Sequence, residues 1–243
     1  MLSAREAGFS CLELVITSDG AVHPELPQPE CEEIRKAVDT VGLIVETVAC
    51  RPGEKLDLTS EDASVRRRSL AFFRGALQRT SWIGGKAMIA TIDDLARPFA
   101  RDAVASLIEA AGELNIDLCI EVSKDTVVGS ITALIDFIES FESDRLGVCL
   151  SVAALLNEDK RPAEWIEPLG PRLKRVYFED LHRRNGTGEL VDCDLMAGDV
   201  PWPETIAALR RVGYNDTVVA NMPRWDPALL KRTSAAMNVI LAL

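Results

Sequence analysis

Histidine is almost missing from this chain: only His23 and His182 occur in 243 residues, and neither stands at ligand spacing. A zinc cage, which needs several nitrogen or thiolate donors at short intervals, is therefore not expected. The six cysteines, at 11, 31, 50, 119, 149 and 193, include no C-x-x-C pair. Cys11, Cys119 and Cys149 fall in apolar strand-like runs, where cysteine is usually a small buried hydrophobe, a pattern that fits a reducing compartment. Basic runs are absent as well, and the net charge is −11. Affinity for a phosphate backbone comes mostly from clustered Lys and Arg, so no nucleic-acid partner is expected. No apolar run reaches the length of a membrane span, and the opening MLSAREAGFS lacks the apolar centre of a secretion signal. A cytoplasmic location without a membrane partner is the expectation. No G-x-G-x-x-G follows any strand candidate, which argues against an open dinucleotide-binding sheet.

What is present is alternation. Apolar strand candidates CLELVI (11–16), LIVETVAC (43–50), KAMIAT (86–91), DLCIEV (117–122), LGVCLS (146–151), LKRVYFED (173–180) and DTVVAN (216–221) are separated by amphipathic helix candidates. In ASVRRRSLAFFRGALQRT the arginines take one side and Leu70, Phe73 and Leu77 the other. Asp226-Pro227 reads as a capping acid before a first-turn proline, and Gly213 closes the helix PETIAALRRVG. Strict alternation predicts a parallel sheet with helices outside it. With 47% apolar residues and no Pro/Gly/Ser linker, residues 1–243 read as one domain. Seven strands are counted rather than eight, and LSAREAGF reads as the end of a helix that should follow an earlier strand. The expected fold is thus an α/β, (β/α)8 TIM-barrel-like domain whose first strand is missing or irregular.

Several segments resemble the xylose isomerase-like barrels, the superfamily of sugar phosphate isomerases/epimerases and endonuclease IV. AREAGFSCLEL is similar to that family's first helix and second strand, and VRRRSLAFFRGALQ to its arginine-bearing third helix. AAGELNIDLCIEV is similar to a helix and strand ending in glutamate. LGPRLKRVYFED and AGDVPWPETIAALRRVGYNDTVVAN resemble the last two strand regions. The resemblance runs from about residue 2 to 240. It implies a site of four metal ligands at strand ends (glutamate, aspartate, histidine, glutamate) that hold Mn²⁺, Mg²⁺ or Co²⁺ beside a carbonyl. Carried over, those positions are Glu121, Ser151, Tyr177 and Asn221. Three of the four are substituted, so no metal or other cofactor is expected at that place.

The remaining candidates follow from the same positions. Glu121 reads either as a general base whose pKa is raised by apolar walls or as a carboxylate satisfied by hydrogen bonds. Lys124 reads as the substitute positive charge or as a solvated loop lysine. Tyr177 either donates a hydrogen bond to a substrate oxygen or fills the volume of the lost imidazole. Alternation sends Glu179 to the side of Tyr177 and Asp180 to the other, and the resemblance implies that the aspartate at the position of Asp180 caps or braces the loop. Ser151, Glu179 and Asn221 are expected to bind substrate. Arg183, in LHRRNGTGE, either matches the offset of a substrate-binding arginine that the family keeps, with Gly186 and Gly188 allowing that loop to move as a lid, or belongs to a surface charge pair. His23 borders the pocket from the first long loop or is simply solvated.

Two functions stay open. One is a divergent isomerase or epimerase that moves a proton next to the carbonyl of a small polyol, keto-sugar or hydroxy acid, without the usual metal; lyase or dehydratase chemistry is equally open. The other is a non-catalytic barrel that binds a sugar-like ligand or a protein partner. A homodimer would cover the edges of an unclosed barrel. A repair nuclease needs a cluster of metal ligands and a basic face, and the chain has neither.

Overall fold

The computed structural model describes residues 1–53, 55–92, 94–122, 130–222 and 226–243. In chain order the elements are α1 (Leu2–Ala7), β1 (Cys11–Thr17), α2 (Gln28–Thr40), β2 (Ile44–Arg51), α3 (Ala63–Ile83) and β3 (Ala87–Ala90). Next come α4 (Ala100–Glu113), β4 (Asp117–Val122), α5 (Ile131–Glu139), β5 (Leu146–Ser151), α6 (Pro162–Leu169) and β6 (Leu173–Phe178). The chain ends with β7 (Asp180–Arg183), β8 (Leu190–Cys193), α7 (Trp202–Arg211), β9 (Val218–Ala220) and α8 (Pro227–Ala242). The alternation read from the sequence is present, and the seven expected strands are β1 to β6 and β9. Two compact units are distinguished. One is mostly Ser10–Glu121 together with α5, and the other is Met1–Phe9 with Val148–Leu243.

In the first unit β1, β2, β3 and β4 pair in parallel, in that order. β3 is buried along its whole length, as expected for a strand covered on both faces. β1 is only half-buried, and its Val15 is 49% exposed. α3 begins where Asp62 accepts a hydrogen bond from Ser64 N at 2.7 Å, and it ends at Gly84, whose φ of 91° suits the left-handed cap. It buries Ser69, Phe72, Phe73, Ala76, Leu77, Thr80 and Ile83, a 3.6-residue stripe, while Leu70 is only half-buried. The loop that carries His23 lies against this helix. A Cβ on Gly75 would come 2.7 Å from the Pro24 carbonyl oxygen, and Arg79 Nε donates to Leu26 O at 2.9 Å. Trp82 packs under the Arg79 guanidinium, 4.9 Å from ring centre to Cζ.

In the second unit β5, β6 and β9 pair in parallel. The predicted strand 173–180 stops at Phe178, and Asp180 opens β7. β7 and β8 form an antiparallel hairpin, so the LHRRNGTGE stretch, expected as a loop, is a strand and a hairpin turn. Alternation accounts for Asp180, which turns away from the side of Tyr177 and is buried. Its carboxylate accepts from the backbone N–H groups of Leu181, Met196, Gly198 and Val200, and from Trp202 Nε1 at 3.1 Å. It therefore braces the segment between β8 and α7, as the sequence suggested. α8 starts with Asp226 capping Ala228 N and Pro227 in the first turn. Among the described residues no helix is long and apolar enough to cross a membrane.

Candidate active site

Three polar side chains meet at the carboxyl ends of β2, β3 and β4. The register pairs Cys50 with Ala90 and Ala90 with Ile120. One residue further along each strand stand Arg51, Thr91 and Glu121. Arg51 Nη1 lies 2.6 Å from Glu121 Oε2 and donates to Thr91 Oγ1 at 3.1 Å, and Thr91 Oγ1 donates to the same Glu121 oxygen at 3.3 Å. The Glu121 side chain is 9% exposed and that of Arg51 35%. Glu121 is thus a buried carboxylate with a charged neighbour, rather than one walled only by apolar groups. Lower down, Thr47 of β2 donates to Glu13 of β1 at 2.7 Å. Beside Arg51, burial pushes the Cys50 thiol far above its ordinary range, so it is no nucleophile.

The second unit holds a separate set. Ser151 pairs with Tyr177 in the register, and Phe178 pairs with Ala220, so Glu179 and Asn221 follow side by side. Ser151 Oγ donates to Glu179 Oε2 at 3.2 Å and accepts from Ala154 N at 3.1 Å. Asn221 Nδ2 donates to Glu179 Oε1 at 2.8 Å. Glu179 thus gathers two of the positions where the resemblance implied metal ligands. Tyr177 is fully buried.

The other expected residues lie as follows. Arg183 Nη2 is 2.9 Å from Asp159 Oδ1, and its Nη1 donates to Gly188 O at 3.0 Å, which ties the hairpin to the 3-10 turn after β5. His182, Arg183, Arg184, Asn185 and Thr187 line an open recess of about 700 Å³ at the hairpin tip. The two arginines have acidic partners, Asp159 for Arg183 and Glu189 for Arg184, and the His182 ring stands 3.7 Å from Asp199 Oδ2. His23 is half-buried on its loop. Lys124 lies outside the described residues. Arg51 was not picked out from the sequence. The available signal was its place as the closing residue of β2, where barrel enzymes carry their chemistry.

These donors do not suit a divalent ion. Glu121 is already engaged by a guanidinium, Ser151 and Asn221 spend hydrogens on Glu179, and the phenol of Tyr177 is a poor ligand. Among the described residues no group of three or more His, Cys, Asp and Glu side chains is arranged to hold a metal.

Parallel strands with polar residues collected at their carboxyl ends place the chain among α/β barrels of the TIM type. Residues 2–240 match the model of the xylose isomerase-like TIM barrel family, and the chain belongs to that family. It is 26% identical over 212 residues, 80% of this chain and 70% of the relative, to the D-psicose 3-epimerase of Agrobacterium fabrum. A crystal structure of D-psicose 3-epimerase in the presence of D-fructose matches with a TM-score of 0.79 at 20% identity, over 98% of this chain and 91% of that one. A xylose isomerase-like barrel protein from Mycobacterium smegmatis in complex with magnesium matches at 0.77 and 18% identity, over 99% and 87%. At such identities the structural likeness speaks for the fold alone.

Proposed function

We propose that this chain is a sugar isomerase/epimerase-like enzyme that moves a proton next to the carbonyl of a small polyol, keto-sugar or hydroxy acid, without the usual divalent metal. The observation that carries this reading is Glu121, a buried carboxylate at the end of β4 held by Arg51 and Thr91. A family match that runs over residues 2–240, and a relative that is an epimerase, support it. In the reaction Glu121 takes the proton from the C–H beside the carbonyl, and the C–H electron pair passes into the C–C bond as the carbonyl becomes an enediolate. Return of a proton to a carbon of that enediolate completes isomerisation or epimerisation. Tyr177 is assigned to the substrate oxygen, and Ser151, Glu179, Asn221, Arg183 and His23 to hydroxyl binding. Lys124 stays a candidate for a second positive charge. The enzyme is read as one cytoplasmic barrel domain that forms a homodimer.

The competing reading is a non-catalytic barrel that binds a sugar-like ligand. The way Ser151 and Asn221 are taken up by Glu179 favours it. One experiment separates the two. The protein is incubated in D₂O with D-fructose, D-psicose and a panel of keto-sugars and hydroxy acids, and deuterium incorporation is read by NMR. Incorporation at the carbon next to the carbonyl is expected, with Glu121→Gln slower by about 10²–10⁴-fold. A folded protein that exchanges no substrate hydrogen sinks the enzyme reading.

A further inference from the structure

We infer that Arg51 is a built-in cation that supplies, at Glu121, the positive charge a metal-dependent relative takes from its ion, and that it keeps a divalent ion away from this carboxylate. The inference rests on the reading above that Glu121 belongs to the reacting site. Its ground is the closed triangle of Arg51 Nη1, Thr91 Oγ1 and Glu121 Oε2, with sides of 2.6, 3.1 and 3.3 Å. The three residues come from adjacent strands whose pairing places them in line, so the backbone itself sets the geometry. A guanidinium suits the part because it keeps its proton at every working pH and directs its donors in a rigid plane. A metal ion seated on the same oxygen would stand within a few ångströms of that charge, in a place where water screens little. Arg51 is a positioning residue for Glu121 and contributes a fixed positive field to the developing enediolate.

The test uses the wild type, Arg51→Ala, Arg51→Lys and Glu121→Gln. After equilibrium dialysis against Mn²⁺, the wild type and Glu121→Gln are expected to hold the same amount of metal. One equivalent on the wild type that disappears in Glu121→Gln overturns the inference. Arg51→Ala is expected to melt lower than the wild type and to regain part of that loss in millimolar guanidinium chloride, but not in NaCl. In the D₂O assay Arg51→Ala should lose at least about 10²-fold in rate, mostly in kcat, with guanidinium restoring activity and Mn²⁺ not. An alanine variant that melts and exchanges like the wild type overturns the inference. Should that variant fail to fold, Arg51→Lys carries the test, because it keeps the charge and should still exclude Mn²⁺; Glu121-dependent uptake of Mn²⁺ by it would refute the idea. Absence of exchange in the wild type removes the proposed function and with it the catalytic part of the inference, while the dialysis and melting results, which need no substrate, still decide whether Arg51 holds Glu121 and keeps Mn²⁺ off it.

Discussion

Asp180 shows how much can depend on one side chain. Its carboxylate receives five N–H donors inside the protein, and Asp180→Ala strips all of them at once. Hydrogen bonds to a buried charge are among the strong ones, so the variant should lose at least about 3 kcal/mol in urea unfolding. Gly198→Ala should damage the same place, because its Cβ would fall 2.2 Å from Asp180 Oδ1. Cys193 reports the local field. Burial, helped by the carboxylates of Asp180, Asp199, Asp194 and Asp192, pushes its thiol up to about 11 from the ordinary 9.0. The folded state then keeps a proton that the unfolded state gives up, so this group leaves stability level below pH 9 and lowers it as pH rises toward 11. Alkylation of Cys193 by iodoacetamide should climb through that same window. A rate that levels off near pH 9 would contradict the local field described here.

At the scale of elements, α3 and the β7–β8 hairpin make opposite predictions. The Ser64 hydroxyl and backbone N–H hold the Asp62 carboxyl below its ordinary 3.8. A depressed carboxylate stabilises above its unfolded pKa, and that contribution is lost as pH falls through the folded value. Asp62→Ala should therefore melt lower than the wild type at pH 7, with the gap closing in strong acid. Gly75→Val should be worse at every pH, since the Pro24 backbone leaves no room for a side chain. The hairpin is tied more lightly. The pair of Arg183 with Asp159 is exposed, with side chains 47% and 88% accessible, and such pairs contribute at most about 1 kcal/mol. Arg183→Ala should leave the melting temperature nearly unchanged while amide hydrogen exchange speeds up in β7 and in the 3-10 turn. Slowed catalysis in that variant with an unchanged melt would support its assignment to substrate.

For the whole molecule, the acidic balance and the half-buried β1 bear on assembly. With a net charge of −11, identical surfaces repel unless an apolar or paired strip offsets the charge. Val15 in β1 and Ile44 in β2 are each about half exposed, and β1 pairs only with β2 among the described residues. Light scattering after size exclusion is expected to give twice the chain mass of 26.6 kDa. Val15→Lys should shift that mass toward the monomer, as charge on an edge strand opposes pairing. A wild type that runs as a monomer at all concentrations removes the homodimer from the proposal.

The fold was legible because it is written in short-range periodicity. Strand runs, helical stripes and caps such as Asp226-Pro227 are local, and burial of the matching faces demands the parallel architecture. That Glu121, Ser151, Tyr177 and Asn221 stand at or beside strand ends was equally readable from the chain. What the side chains do with one another was not. Arg51 and Glu121 are seventy residues apart, and only strand register brings Nη1 to within 2.6 Å of Oε2. Ser151 and Asn221 meet on Glu179 for the same reason. The hairpin escaped because LHRRNGTGE has the composition of a loop, whereas the pairing of Asp180–Arg183 with Leu190–Cys193 is a tertiary choice reinforced by the Asp180 carboxylate. Periodicity thus determined which elements form. Register, which is set by how strands pack and not by local sequence, decided which charges meet.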